Sequence, residues 1–202
     1  MNPGPPGRYL GGESIMCPRP HRSEEILDEL LVLHAQEGSP NAFQKLVERW
    51  QERLWRHARR LTGRDDAAWD VLQDSWIGIA GGIAKLRDAG AFRRWAYTIV
   101  TRAATSRLRR QAPEEPTPHE DLDRHAVADD DERDEREQAI AELRMALDHL
   151  QGDERALLSL RYFEGFELWE ISQVLDVPEG TVKSRLHHAR KRLKDVLERL
   201  QR

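Results

Sequence analysis

Residues 156–194, ALLSLRYFEGFELWEISQVLDVPEGTVKSRLHHARKRLK, hold two helical patterns separated by a three-residue break. In the second pattern, Val182, Leu186, Ala189 and Leu193 fall in one narrow stripe at 100° per residue, the spacing of a helix that packs on a core through a single face. Thr181, Ser184, His187, His188 and Lys191 lie opposite, flanked by Lys183, Arg185, Arg190 and Arg192, and no acidic residue occurs from Thr181 to Lys194. The shorter pattern, Phe166 to Leu175, repeats through Leu168, Ile171, Val174 and Leu175. Asp176, Val177 and Pro178 then break it, and Pro178 suits the opening of the next helix. Short helix, tight break and basic second helix together read as a helix-turn-helix; a hairpin with merely solvated charges needs no such conjunction. Asp176 stands where such turns often carry Gly, and Asp tolerates the left-handed backbone required there. A helix about 12 Å across fits the major groove of B-DNA, so the outward face can meet base edges while cations beside it meet phosphates. Thr181, Lys183, Ser184, Arg185, His187, His188 and Lys191 are the candidate duplex-binding set.

A net charge of −4 fits a DNA-binding chain only once it is resolved along the sequence. Arg93 to Arg110 holds six basic residues and no acidic one, whereas Gln111 to Glu137 holds twelve acidic residues against three arginines, so two basic patches flank an acidic strap. The organisation expected is a Pro- and Gly-rich arm over 1–22, a helical domain over 23–110, an acidic linker over 111–136 and a second helical domain over 137–202. The fold class expected is all-α: two small helical domains joined by a flexible linker able to span tens of Å. Cys17 has no cysteine partner, which fits a reducing compartment. No apolar run approaches the roughly 20 residues that cross a bilayer, and no export signal is evident, so a cytoplasmic location without membrane insertion is expected.

Within 23–110, Ser23 is the expected cap of a first helix running through Ile26, Leu27, Leu30, Leu31 and Leu33 to about Gly38. Ser39 and Pro40 start a second through Phe43, Leu46, Val47, Trp50, Leu54, Ala58 and Leu61, ended by Thr62-Gly63. A third begins at Asp65 or Asp66 with Ala68, Val71, Leu72, Ser75, Trp76 and Ile79 inward. Asp70, Gln73, Asp74 and Ile77 share another side, an acidic patch that alone reads as solvated surface. A fourth helix, from about Phe92 to Arg110, is expected to turn Trp95, Ala96, Ile99 and Ala103 inward and Arg94, Thr98, Thr101, Arg102, Thr105 and Arg109 outward. Cations mixed with hydroxyls suit a single nucleic-acid strand, while Trp95 and Tyr97 fit a core role or base stacking equally. Beyond the linker, order is expected from Ala139 through Ile140, Leu143, Leu147 and Leu150, then in a helix capped by Asp153 and closed around Gly165.

Three stretches now carry a resemblance. DDAAWDVLQDSWIGI at 65–79 and AFRRWAYTIVTRAATSRLRR at 91–110 resemble the second conserved region of the extracytoplasmic-function sigma factors of bacteria, and RYFEGFELWEISQVLDVPEGTVKSRLHHARKRL at 161–193 resembles their fourth. The resemblance covers most of residues 24–198 and implies a sigma factor that binds core RNA polymerase and directs promoter recognition, melting and transcription initiation. It implies that Asp70, Gln73, Asp74 and Ile77 dock on core polymerase. Arg94, Thr98, Arg102, Thr105 and Arg109, with the loop from Lys85 to Ala91, would open and read the minus-ten element as a single strand. The 179–194 helix would read the minus-thirty-five element in duplex promoter DNA, and the acidic strap would thread the polymerase's nucleic-acid channel. An anti-sigma factor that masks both domains is also implied. Arg102 stands where many members carry Asn, and Thr98 and Thr101 where basic residues are common.

The rival reading is a stand-alone helix-turn-helix repressor or response-regulator effector, which explains 156–194 but leaves the acidic helix and the basic 93–110 stretch without a role. An enzyme is not expected: the sequence holds no phosphate-binding Gly loop, no Cys/His cluster and no Ser/His/Asp set. Cys17 with His21, and Asp129 to Asp131, are incomplete as metal sites, so neither metal nor cofactor is expected.

Overall fold

Ser39 and Pro40 start the longest helix: the Ser39 hydroxyl accepts from the Ala42 amide at 3.4 Å, and Pro40 occupies the first turn, where a missing N–H does no harm. The computed structural model describes residues 22–111, 138, 142–143 and 145–200, and every regular element among them is helical. These are α1 (Arg22–Gln36), α2 (Pro40–Thr62), α3 (Asp65–Gly82), α4 (Phe92–Gln111), α5 (Gly152–Leu158), α6 (Leu168–Leu175) and α7 (Glu179–Leu200). Two single 3₁₀ turns, Ile83–Lys85 and Ala89–Ala91, join α3 to α4, and a π turn, Ser159–Phe163, extends α5. The arm over 1–21 and the strap over 112–137 lie outside the described residues, as do the metal-ligand candidates within them.

α2 is the axis of the first half. Leu46, Leu54, Ala58 and Leu61 are fully buried along one face, and Trp50 meets Phe92 and Tyr97 edge-on. Full burial of a side chain of that size contributes about 1.5–3 kcal/mol. Gly63, at φ 75°, ends α2 in the left-handed region, its N–H donating to Arg59 O at 2.9 Å. α3 packs back on α2 and against α4, burying Ala67, Ala68, Val71, Leu72, Ser75 and Ile79. At Gly82 the chain passes so close to the Trp95 ring that an added Cβ would lie 2.8 Å from it. Gln36 then ties α1 to the α3–α4 connection by donating to the carbonyls of Ile83 and Leu86 at 2.9 and 2.7 Å.

Several expectations need correction. α1 starts at Arg22, so Ser23 sits inside its first turn; Leu31 and Val32 are its buried apolar residues, with Asp28 buried beside them, while Ile26, Leu27, Leu30 and Leu33 are exposed because only one narrow face is covered. On α4 the buried set is Phe92, Ala96, Tyr97, Val100, Thr101 and Ala104; Trp95, Ile99 and Ala103 are only partly covered, and Thr101 points inward because a buried hydroxyl there meets His57. α5 is capped by Gln151 rather than Asp153, with the Glu154 carboxylate accepting from the Gln151 amide.

The two halves do not stand apart. Buried apolar residues run without interruption from Leu31 to Ala189, and α6 lies against α4 while α5 lies against α2 and α4.

Candidate nucleic-acid interface

The turn of the helix-turn-helix forms as its residues dictate. Glu167 caps α6 in a box with Glu170, whose carboxylate accepts from the Glu167 amide at 2.8 Å. Asp176 ends α6 at φ 56°, ψ 49°, and among the described residues it alone takes positive φ without being glycine. The Val177 amide donates to Ser172 O, the Ser172 hydroxyl donates back to Val177 O at 2.7 Å, and Pro178 O accepts from the amides of Thr181 and Val182. Those bonds set the angle at which α7 leaves.

On α7, Val182, Leu186 and Ala189 are buried and Leu193 is partly covered, as the stripe predicts. Lys183, Ser184, Arg185, His187, His188 and Lys191 are exposed, and Thr181 is half-buried. Lys183, Arg185 and Lys191 have no ion-pair partner among the described residues. The cations farther round are held instead: Arg192 by Glu154 at 3.1 Å, Lys194 by Glu198 at 3.6 Å, and Arg190 reaches the Tyr162 hydroxyl at 3.5 Å. A row of free cations and small hydroxyls on a rigid helix is therefore offered outward, which is the chemistry phosphates and base edges accept.

α4 presents its set differently. The Thr98 hydroxyl donates to Arg94 O at 2.9 Å and the Thr105 hydroxyl to Thr101 O at 2.8 Å, so both are satisfied within the helix. Arg94 sits over the Trp169 ring at 5.5 Å, Arg102 faces Asp176 at 3.9 Å and Arg109 faces Asp153 at 3.7 Å. All three partners belong to the C-terminal half.

The α3 patch is open. Asp70, Gln73, Asp74 and Ile77 are exposed, Ile77 by 67%, and Asp70 pairs with Arg107 at 2.9 Å. Trp69, more than half exposed, stands beside them and packs against Trp55 with ring centroids 5.7 Å apart. Sequence periodicity missed Trp69 because an aromatic near the start of a helix reads as core; its place one residue before Asp70, off the Ala68–Val71–Leu72 stripe, is the signal that would have found it.

The residues least visible in the sequence lie at the junction. Glu164, buried, accepts from the Arg60 guanidinium and from the Tyr97 hydroxyl through its two carboxylate oxygens, and its backbone carbonyl accepts from Arg93. The Arg93 guanidinium lies 3.8 Å over the Phe166 ring. His57 faces Ser159 Oγ at 3.0 Å through Nδ1 and Thr101 Oγ1 at 2.9 Å through Nε2; burial, helped by the Arg60 charge, pulls its pKa well below the ordinary value. Burial, and then the charge of Glu164, push the Tyr97 hydroxyl well above its own. Arg155 donates to the Leu61 carbonyl at 3.0 Å across the same boundary, and its burial lowers its pKa.

Among the described residues no group of three or more His, Cys, Asp or Glu side chains is placed to hold a metal ion, and no helix is long and apolar enough to cross a membrane.

The family described as Sigma-70 region 2 matches residues 46–114, and that described as Sigma-70, region 4 matches residues 140–193. An ECF RNA polymerase sigma-E factor of Haemophilus influenzae is 31% identical over 188 residues, which span 88% of this chain and 99% of that protein. The ECF RNA polymerase sigma factor SigM of Mycobacterium tuberculosis is 35% identical over 176 residues, 87% of each chain. Among solved structures, CnrH in complex with the cytosolic domain of CnrY shares the fold at a TM-score of 0.61 and 23% identity, over 85% of this chain and 97% of that one. The sigma factor RpoE in complex with the anti-sigma factor NepR from Bartonella quintana gives a TM-score of 0.61 at 22% identity, over 77% of this chain and 96% of that one.

Proposed function

The chain belongs to the extracytoplasmic-function sigma factors, which bind core RNA polymerase and direct transcription initiation, and from that premise we propose a division of labour among three of its surfaces. The α7 face, Thr181, Lys183, Ser184, Arg185, His187, His188 and Lys191, reads the minus-thirty-five element in the major groove. The α4 set, Arg94, Thr98, Arg102, Thr105 and Arg109, engages the minus-ten element as a single strand. Asp70, Gln73, Asp74 and Ile77, joined by Trp69, dock on core polymerase. The domains implied are 23–110 and 137–202, with 111–136 as the connector. The observation that carries this reading is the contrast on α7, where cations at the edge are tied to carboxylates while Lys183, Arg185 and Lys191 stay unpaired.

The protein works without chemistry of its own, through binding at each surface. One face on a helix-turn-helix binds DNA with modest strength; joining a second face and the polymerase raises the effective concentration at each remaining contact. The stand-alone repressor reading gives no use to the exposed acidic and aromatic face of α3. An anti-sigma partner is part of the proposal, as is work in the cytoplasm; the chain's DNA faces are what such a partner would cover.

Run-off transcription with core polymerase tests the assignments. Lys183→Glu should abolish promoter selection while core binding persists, and Asp74→Arg should lose core binding. Wild-type behaviour of both variants overturns the assignments.

A further inference from the structure

Among the described residues, the outward side of α1 has nothing over it. Ile26, Leu30 and Leu33 fall within roughly 60° of one another around the helix, with Leu27 at their edge, and the four are 50, 48, 46 and 43% exposed. The opposite side, with Asp28, Leu31 and Val32, is the one that is buried. An aliphatic residue exposed singly needs no explanation; four in one contiguous row do. Beside the row, Glu25 and Glu29 stand one turn apart, exposed and without an ion-pair partner among the described residues, and an exposed Glu37 lies beyond its far end.

Residues 1–21 join α1 at Arg22, the end from which Ile26 begins the row. They carry Ile15 and Met16 side by side, Arg8 and Arg19 against a single acid, Glu13, and Pro18 and Pro20 between Met16 and the helix. We propose that this arm folds back along α1 as a strap, with Pro20 in the reversal, Arg19 against Glu25 and Glu29, and Ile15 and Met16 over Leu30 and Leu33. The lengths agree. From Arg19 to Met16 an extended chain advances about 10 Å at roughly 3.3 Å per residue, and α1 advances about 8–12 Å from Glu25 to Leu30 and Leu33 at about 1.5 Å per residue. Proline at the second position of a turn is already set for a reversal. A strap on a helix has no backbone partner, and each proline in it removes one amide that needs an acceptor.

A second copy of the chain fits the row less well. It would bring the glutamates of one α1 towards those of the other, and four half-exposed side chains fall far short of the ~800 Å² per partner that a stable pair of proteins covers. The arm brings cations to the same glutamates, and its tether gives it an effective concentration on the order of millimolar.

The full-length chain, carrying ¹³C on its Ile, Leu and Met methyl groups, tests the strap by nuclear Overhauser spectroscopy. Wild type should show cross-peaks from the methyls of Ile15 and Met16 to those of Leu30 and Leu33, unchanged on dilution. Leu30→Lys with Leu33→Lys alters only exposed positions, so helix content should stay as in wild type while those contacts vanish and the Ile15 and Met16 methyls move to random-coil shifts. Arg19→Glu leaves the described fold untouched and should lower the docking equilibrium constant roughly two- to fivefold, read from the Met16 methyl shift. Random-coil shifts for Ile15 and Met16 in wild type, shifts unmoved by the double lysine variant, or docking as tight with Arg19→Glu as without it overturns the proposal. In a mixture of labelled and unlabelled chains, an isotope-filtered spectrum that places contacts to Leu30 and Leu33 between different chains overturns it too, and assigns the row to a second copy.

Discussion

Acidification should destabilise this protein through a single imidazole. His57 is buried on α2 with its two ring nitrogens 3.0 and 2.9 Å from the hydroxyls of Ser159 and Thr101, and the Tyr97 ring stands edge-on with centroids 5.0 Å apart. The charged group beside it is Arg60 on its own helix, which holds Glu164 from the facing half; Tyr97 on α4 is the remaining titratable neighbour. Burial first, and the Arg60 charge second, depress its pKa well below 6.5. A depressed folded value means that the unfolded chain binds the proton more tightly. The contribution of the neutral ring is therefore complete above the unfolded pKa of about 6.5 and is lost as pH falls below it, at about 1.4 kcal/mol per pH unit, until the folded value is reached. His57→Gln keeps an amide that can meet both hydroxyls and removes the titration. Urea unfolding followed by far-UV circular dichroism, run on both proteins through this range, should show the free-energy gap between wild type and variant moving against wild type by about 1 kcal/mol over the first pH unit below 6.5, with the slope approaching about 1.4 kcal/mol per unit below that. The other histidines cancel in that difference. A gap that stays constant on acidification, or one that moves in favour of wild type, refutes the reasoning.

Two further outcomes follow from local geometry. Asp176→Gly relieves the left-handed strain in the turn and should raise the unfolding free energy by up to about 1 kcal/mol, whereas Asp176→Val should lower it by about 1–2 kcal/mol, both read by thermal denaturation. Trp69→Ala should weaken association with core polymerase by about 1–2 kcal/mol in competition against labelled wild-type protein while leaving the unfolding free energy within about 0.5 kcal/mol, because the ring is more than half exposed.

What could be read in advance was what repeats. α2 and α7 have long apolar stripes of period 3.6, and most of their buried residues lie on them, although Ala42, His57, Thr62 and Val196 are buried as well and Phe43, Val47 and Leu193 only in part. The left-handed Asp176 was legible for a different reason: a three-residue break between two helices leaves the chain few conformations, and one of them needs positive φ. α1 misled because it carries apolar residues on more than one face while α2 covers only the face with Leu31 and Val32. Thr101 misled because a threonine on a basic helix resembles its exposed neighbours, and only its partner shows that it points inward. The junction left no trace in any pattern. Glu164 and Arg60 are 104 residues apart and His57 and Ser159 are 102 apart, each a single polar residue in an otherwise ordinary context. Pairing over such separations carries no periodicity, so the exposed faces of α3 and α7 could be drawn from the sequence while the contact between the halves could not.

That contact is part apolar and part polar: the buried apolar cluster runs through it, and Tyr97 meets Phe166 edge-on with ring centroids 5.1 Å apart. Apolar surface buried between halves would be exposed to water on separation at a penalty proportional to its area. Glu164, Arg60, Arg93 and Tyr97 behave differently, since each exchanges its partner for water when the halves part, and a hydrogen bond exchanged in that way changes stability by only about 0.5–1.5 kcal/mol, or about 1.5–3 where a charge is involved. Removing one partner inside the closed state is another matter: it strands a buried charge and costs about 3–5 kcal/mol. The polar part of the contact is thus specific in what it accepts, while the apolar part sets a penalty on separating the halves. Neither the exposed face of α3 nor the outward side of α7 takes part in that contact.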